Sequence, residues 1–266
     1  MKIIKMQAYG NDFCLTEFEN NKDYSAISKK VLDRRLGIGG LGLIVVKVKP
    51  DLEMLLYNPE GKRLPMDLNA LMCFSKYVFE SSIVRKKEFD VIMANAKYKV
   101  NVENGYVVNM GEANYNNSML HINDPIKSFG RVIRLNNSLS ITIYSLYLGD
   151  IHTIILVDDF DAKIIKDVDL IINNSLFKNK TNVHFVKVLD KKNILIKSYD
   201  KEGNNLLSSA AGAAAASVAL NELKLVYKET CAKFELGSVD VEIKKDKALV
   251  KGNSVKVFEC EYKEED

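Results

Sequence analysis

Two fourteen-residue stretches carry the residue types and spacing most able to do chemistry in this chain. Tyr57–Ala70 reads YNPEGKRLPMDLNA, and Tyr199–Gly212 reads YDKEGNNLLSSAAG. Laid over each other without a gap, they share Tyr57/Tyr199, Glu60/Glu202, Gly61/Gly203 and Leu64/Leu206 at a constant spacing of 142. Each follows an apolar run (Leu52–Tyr57 and Ile194–Tyr199) and leads into a small or apolar stretch of helical length. The pattern predicts a strand, a tight turn at Glu-Gly and a helix start, twice over. A helix start presents unpaired backbone N–H groups and the positive end of the peptide dipoles, which suit an anion. A repeat of this kind implies two similar halves whose helix ends serve one ligand.

The elements around these stretches are those of a two-domain protein. A length of 266 residues suits one or two domains, and the repeat favours two. Apolar residues make up 47% of the chain, enough for a core, and 27% charged residues keep the surface wet. The net charge of +3 is spread without a basic patch, which argues against nucleic acid. No apolar run reaches about 18 residues, and MKIIKMQAYGNDF lacks a signal-peptide core, so no membrane partner and a cytoplasmic location are expected. Cys14, Cys73, Cys231 and Cys260 are scattered without metal-ligand spacing, and read as reduced, mostly buried thiols with no metal site.

Along the chain, alternating strand runs from Met1 to Phe18 with a break at Gly10-Asn11-Asp12. Ser25–Arg35 suits a short helix capped by Ser25. LGIGGLG (Leu36–Gly42) lacks a phosphate-loop ending and reads as backbone passing close to a neighbour. Leu43–Val48 and Leu52–Tyr57 are expected strands, followed by a helix from about Leu68 to Glu80. A meander follows from Phe89 to Met110, with turns at Asn95 and Asn104-Gly105; Ala113–Pro125 reads as a linker. Beyond it, strands are expected at Val132–Leu135, Leu139–Leu148, Ile151–Val157, Val183–Leu189 and Ile194–Tyr199, with a helix over Lys163–Leu176. The Ala-rich helix Ala210–Leu223 precedes an all-strand tail. A helix without a polar face must be enclosed. The expected fold class is therefore α+β: two pseudo-symmetric domains, each a curved mixed or antiparallel sheet wrapped around a central helix. The halves are placed at 1–115 and 116–251, with a terminal strand at about 252–266 able to return to the first.

Over nearly its whole length the chain resembles the diaminopimelate epimerase family. K-M-x-x-x-G-N-D-F matches Lys5–Phe13, and G-I-G-x-x-G-L matches Gly37–Leu43. N-P-x-G matches Asn58–Gly61, the G-N-P-H turn is echoed by Gly149–His152, and N-V-x-F-V matches Asn182–Val186. The resemblance implies a cofactor-independent reaction in an interdomain cleft. In that reaction a cysteine at the start of each central helix moves a proton on or off an amino-acid Cα. Here M-C-G-N-G falls on Met66–Ala70 and A-C-G-T-G on Ser208–Gly212, so Asp67 and Ser209 stand where the two cysteines would. By the same resemblance Asn11, Asn58 and Asn182 match substrate-holding positions. Leu68, Asn69, Ala210 and Ala211 match the backbone that receives the reacting carboxylate. Asp200-Lys201 corresponds to a Glu-Arg pair that grips the far end of the ligand. The Asn of G-N-P-H is Asp150 here, while His152 is kept. No cofactor is implied. The expected partner is a small amino acid or carboxylate, and family members often pair as homodimers.

Asp and Ser are among the best helix N-caps, which is the plain structural role for Asp67 and Ser209. As a proton pair they are weak. Exchanging a thiol for a carboxyl removes about 6 kcal/mol of proton-accepting strength, and an unassisted hydroxyl is a poor base. An ionised Asp67 at about 4 Å from a substrate carboxylate would cost about 4 kcal/mol at an effective dielectric near 20. Lys201 in place of Arg loses the bidentate grip. His121 and His184 read as surface or strand residues, and Cys14 and Cys73 as core thiols. Two functions follow from these residues: an isomerase whose chemistry has shifted to Asp67, with His152 assisting, or a catalytically silent ligand-binding relative or partner subunit.

Overall fold

The computed structural model describes every residue except 95, 104, 123, 137, 138, 162 and 264–266. The turn expectations at Asn95 and Asn104 fall outside the described residues. The chain forms two compact units, Met1–Asn109 with Lys251–Asp266, and Met110–Val250.

In the first unit, β1 (Lys2–Ala8) and β2 (Asn11–Glu17) form a hairpin, and α1 (Tyr24–Val31) carries the chain over to β3 (Gly42–Lys47). β3 lies parallel to β2, with Phe13 opposite Gly42, as a strand reached by a helical crossover can. β4 (Glu53–Tyr57) returns antiparallel, pairing Leu43 with Tyr57, and leads into α2 (Leu68–Glu80). α2 packs on β1, β2, β3 and β4. The strands are apolar on both faces because both are covered: Ile3, Cys14, Leu43, Val45 and Leu55 pack with Tyr24, Ile27 and Val31 of α1. The meander follows as β5 (Glu88–Met93), β6 (Ala96–Asn101) and β7 (Tyr106–Glu112).

The second unit repeats this order. β8 (Phe129–Arg134), β9 (Ser140–Tyr147) and β10 (Ile151–Leu156) form antiparallel neighbours. Two short helices, α3 (Lys163–Lys166) and α4 (Val168–Ile172), cross to β11 (Asn182–Val188), parallel to β10 with His152 opposite Asn182. β12 (Asn193–Tyr199) returns antiparallel, pairing Val183 with Tyr199, and β13 (Asn205–Leu206) closes the turn ahead of α5 (Ala210–Glu222). The remaining strands of the second unit are β14 (Glu229–Phe234), β15 (Gly237–Lys244) and most of β16 (Lys247–Gly252); the last strand, β17 (Val255–Glu261), belongs to the first unit, where it pairs antiparallel with β1. α5 packs on β9, β10, β11, β14 and β15, and its Ala213, Ala214, Ala215, Ala216 and Ala219 are fully buried. Only side chains this small let a helix be enclosed so closely on every side.

Three local expectations change. Asp23, not Ser25, caps α1, accepting the N–H groups of Ser25 and Ala26 at 3.0 and 3.1 Å. Ser25 is one residue inside the helix, and its hydroxyl instead donates to Gly61 O at 2.8 Å. The single helix expected over Lys163–Leu176 is broken at Asp167, which leaves the helical region between α3 and α4. The stretch expected as a linker is bound into the second unit at three described residues: Asn114 pairs with Tyr147, and Leu120 and Ile122 lie in the core. Among the described residues no helix is long and apolar enough to cross a membrane.

Candidate functional site in two half-sites

The two repeat stretches fold with one hydrogen-bond pattern. In the first, Asn58 N donates to Lys62 O at 2.9 Å, Gly61 N to Asn58 O at 3.0 Å, and Lys62 N to Asn58 Oδ1 at 2.8 Å. In the second, Asp200 N donates to Asn204 O at 3.1 Å, Gly203 N to Asp200 O at 3.1 Å, and Asn204 N to Asp200 Oδ1 at 2.8 Å. Gly61 and Gly203 take the positive φ the turn demands, +79° and +88°. The helices then start alike. Asp67 Oδ1 accepts Ala70 N at 2.9 Å, and Ser209 Oγ accepts Gly212 N at 3.0 Å, each from an extended cap residue. Asp67 and Ser209 are thus N-caps, and both are half-buried.

At the α2 tip, Leu68, Asn69 and Ala70 are buried. Burial pushes the Asp67 carboxyl above the usual carboxylate range, against the weaker opposing pull of the Ala70 and Asn69 N–H groups. Asn11 is buried at the start of β2. Its neighbour Asp12 receives Lys5 Nζ at 2.7 Å and both Arg34 terminal nitrogens at 2.7 and 3.2 Å. Burial works upward on Asp12, yet the bonds to Arg34 and Lys5 outweigh it and hold the carboxyl low. Lys5 also donates to Gly39 O, which fixes the glycine-rich loop. Cys14 and Cys73 are buried thiols; burial raises the first to about 11 and lifts the second as well, so neither supplies a thiolate.

At the α5 tip the structure gathers four of the sequence-predicted residues. Asp150 accepts Lys201 Nζ and Ile151 N on Oδ1, and Asn182 Nδ2 on Oδ2 at 3.0 Å. Burial pushes Asp150 upward, but His152 and Lys201 together prevail and keep its carboxyl below the usual range. His152 is buried, its Nδ1 2.9 Å from His184 Nε2, and His184 Nδ1 lies 2.9 Å from Ser198 Oγ. Burial depresses His152 to about 4 despite Asp150 nearby, and depresses His184 well below its ordinary value, so both imidazoles are neutral. The His184 ring lies under the first turn of α5. A Cβ added to Gly212 would fall 2.4 Å from its Cε1 and 2.9 Å from Ser209 Oγ. Ala210 and Ala211 are buried beside it. Asp200 does not join this group: its oxygens take Glu202 N, Asn204 N and Asn204 Nδ2 within its own turn.

No protein-family model matches the chain. A curated diaminopimelate epimerase of Caldanaerobacter subterraneus subsp. tengcongensis is 32% identical, over 98% of this chain and 99% of that protein. The diaminopimelate epimerase of Clostridium perfringens is 30% identical, over 98% and 99%. The chain belongs to the diaminopimelate epimerase family. Among solved structures, a hydroxyproline epimerase from Agrobacterium vitis, with bound trans-4-hydroxy-L-proline, shares the fold at a TM-score of 0.68 and 10% identity, covering 98% of this chain and 91% of that one.

Within this family frame, sequence reasoning missed His184 and the Lys5–Asp12–Arg34 cluster. Of the surface or strand reading for His184, the strand holds and the surface does not: it is fully buried on β11. The signal was present. In Asn182–Val188 Val183 and Phe185 point to one face, so His184 shares the other with the apolar Val186, and a strand buried on both faces leaves no wet side. His121, by contrast, is exposed.

Proposed function

We infer that this protein is a family member that binds an amino acid or related small carboxylate without the two-thiol proton transfer. The observation that carries the reading is that both tip side chains, Asp67 and Ser209, are committed to capping their own helices. Epimerisation at Cα needs a base for one face and an acid for the other, each with a pKa suited to the task. Ser209 lacks a base to ionise it: both ring nitrogens of the adjacent His184 are occupied, by His152 and by Ser198. The cytoplasmic location, the homodimer and the role of silent partner to an active epimerase belong to the same reading.

The test is solvent-deuterium exchange. Incubated in D2O with meso-diaminopimelate and a panel of amino acids, the protein should leave every α-proton in place by NMR, while thermal-shift titration shows saturable stabilisation by at least one of them. Asp67→Cys with Ser209→Cys should restore measurable exchange. Exchange catalysed by the natural sequence would overturn the silent reading, and no stabilisation by any ligand would overturn the binding reading.

One observation favours a second reading, a proton-shift isomerase acting through Asp67. Burial raises that carboxyl, which moves it toward a general acid. In that case exchange would be present and would disappear in Asp67→Asn, which keeps the cap.

A further inference from the structure

The charge balance around Asp150 bears on which ligand the second unit's half-site would take, and this inference rests on the amino-acid-binding reading above. Lys201 and Asp200 stand where the family resemblance places the two groups that grip a ligand's far end. Both are already engaged. Lys201 Nζ lies 2.5 Å from Asp150 Oδ1, and the two side chains are 26% and 31% exposed, so their attraction is less screened than that of a surface pair. Asp150 Oδ2 is taken by Asn182 Nδ2 at 3.0 Å. The same Nδ2 also donates to Ile151 O at 3.0 Å, which leaves Asn182 only its carbonyl oxygen for a ligand. Asp200 is closed into its own turn through Glu202 and Asn204.

We propose that Asp150 sets the ligand class of this half-site, admitting an α-amino acid with an uncharged tail and disfavouring one whose tail ends in a carboxylate. A tail carboxylate on Lys201 would share that one ammonium with Asp150, setting two anions side by side in a half-buried place with a single cation between them. An uncharged tail leaves the pair intact and meets a neutral surface with one free acceptor, the Asn182 carbonyl. An asparagine at position 150 would keep the bond to Ile151 N and release Lys201 for the ligand. The specificity is thus a difference between two costs, and the repulsive element is Asp150 itself.

Three amino acids on one seven-carbon frame test this by titration calorimetry with the full chain: 2-aminoheptanoate, 2-aminoheptanedioate and meso-diaminopimelate. The natural protein should bind 2-aminoheptanoate about tenfold or more tighter than 2-aminoheptanedioate. Asp150→Asn should reverse that order, and adding Lys201→Met to it should abolish the gain. A natural protein that prefers the dicarboxylate overturns the proposal, as does an Asp150→Asn variant that binds both ligands with the preference unchanged. Should Asp150→Asn fail to fold, the preference of the natural protein decides alone. If neither protein binds any of the three while thermal shift shows another amino acid stabilising the natural protein, this inference fails and the binding reading stands; no stabilisation by any amino acid of the panel overturns both.

Discussion

The tips of α2 and α5 share a backbone and differ in what lies beneath them. Turn, positive-φ glycine and cap bond repeat at a spacing of 142, from Asn58, Gly61, Asp67 and Ala70 to Asp200, Gly203, Ser209 and Gly212. Under α2 the first turn holds a methyl at Ala70, fully buried without conflict. Under α5 the equivalent position is glycine because the His184 ring occupies the space. The difference teaches that turn and cap chemistry preserve the geometry of a helix start, since each orphan N–H must find an acceptor. The side chains around that start are free to change, and only their volumes must stay complementary.

Acid should separate the two units most strongly. All three histidines of the chain, 121, 152 and 184, fall in the second unit, and two of them are buried and neutral. A folded-state pKa below the unfolded 6.5 means the unfolded chain takes up protons first. The stability is therefore complete above about pH 6.5 and is lost as pH falls toward the His152 value of about 4. For His152 alone the loss is about 3 kcal/mol. Urea unfolding from pH 7 to 4 should show it, and hydrogen exchange should show α5 amides losing protection before those of α2. Flat stability across that range, or α2 opening first, would break the comparison.

The space under the first turn gives the next effect. Gly212→Ala should destabilise by about 2 kcal/mol through overpacking against the His184 ring. The reciprocal change in the other unit, Ala70→Gly, should cost only about 1 kcal/mol of helix propensity. In a His184→Gly background, itself destabilised by the lost bonds to His152 and Ser198, Gly212→Ala should cost far less, a coupling that a double-mutant cycle measures. Additive effects would mean that the ring does not set the size of residue 212.

Much of this was legible in the sequence, for physical reasons that also explain the failures. The repeat announced both helix starts because Glu-Gly turns and cap residues act within a few positions, and local chemistry is what a sequence displays. Ala210–Ala216 announced its enclosure because a helix without a polar face has nowhere else to go. The misplaced cap of α1 follows from two adjacent candidates, Asp23 and Ser25, either able to accept the first amides. The break at Asp167 shows the converse, since an apolar rhythm continued past a residue that favours helix ends. The strand at His184 was legible but its place in the site was not, because that depends on a strand neighbour, Ser198, and on His152 on the adjoining strand. The engagement of Lys201 with Asp150 was likewise invisible, because the two lie 51 positions apart.

The smallest expected effect separates the caps by charge. Ser209→Ala should cost about 1 kcal/mol at any pH, because a hydroxyl cap does not titrate. Asp67→Asn keeps an equally good cap acceptor and removes a carboxylate whose burial has raised its pKa. A carboxyl with a raised folded pKa contributes stability that is complete below the unfolded value and lost as pH rises through the folded one. As pH rises through its folded pKa, the natural protein therefore takes on a desolvated charge at the α2 tip. The asparagine variant should be as stable as the natural protein at pH 7, or more stable by a few tenths of a kcal/mol. Below the ordinary carboxylate range that advantage should vanish, because Asp67 is then protonated and neutral. Thermal unfolding of both variants at pH 7 and pH 3 reads the difference. An Asp67→Asn protein weaker than the natural one at pH 7, with no gain relative to pH 3, would mean that the carboxylate at the α2 tip is stabilised by something other than its cap bond, and the two tips would then differ in electrostatics as well as in volume.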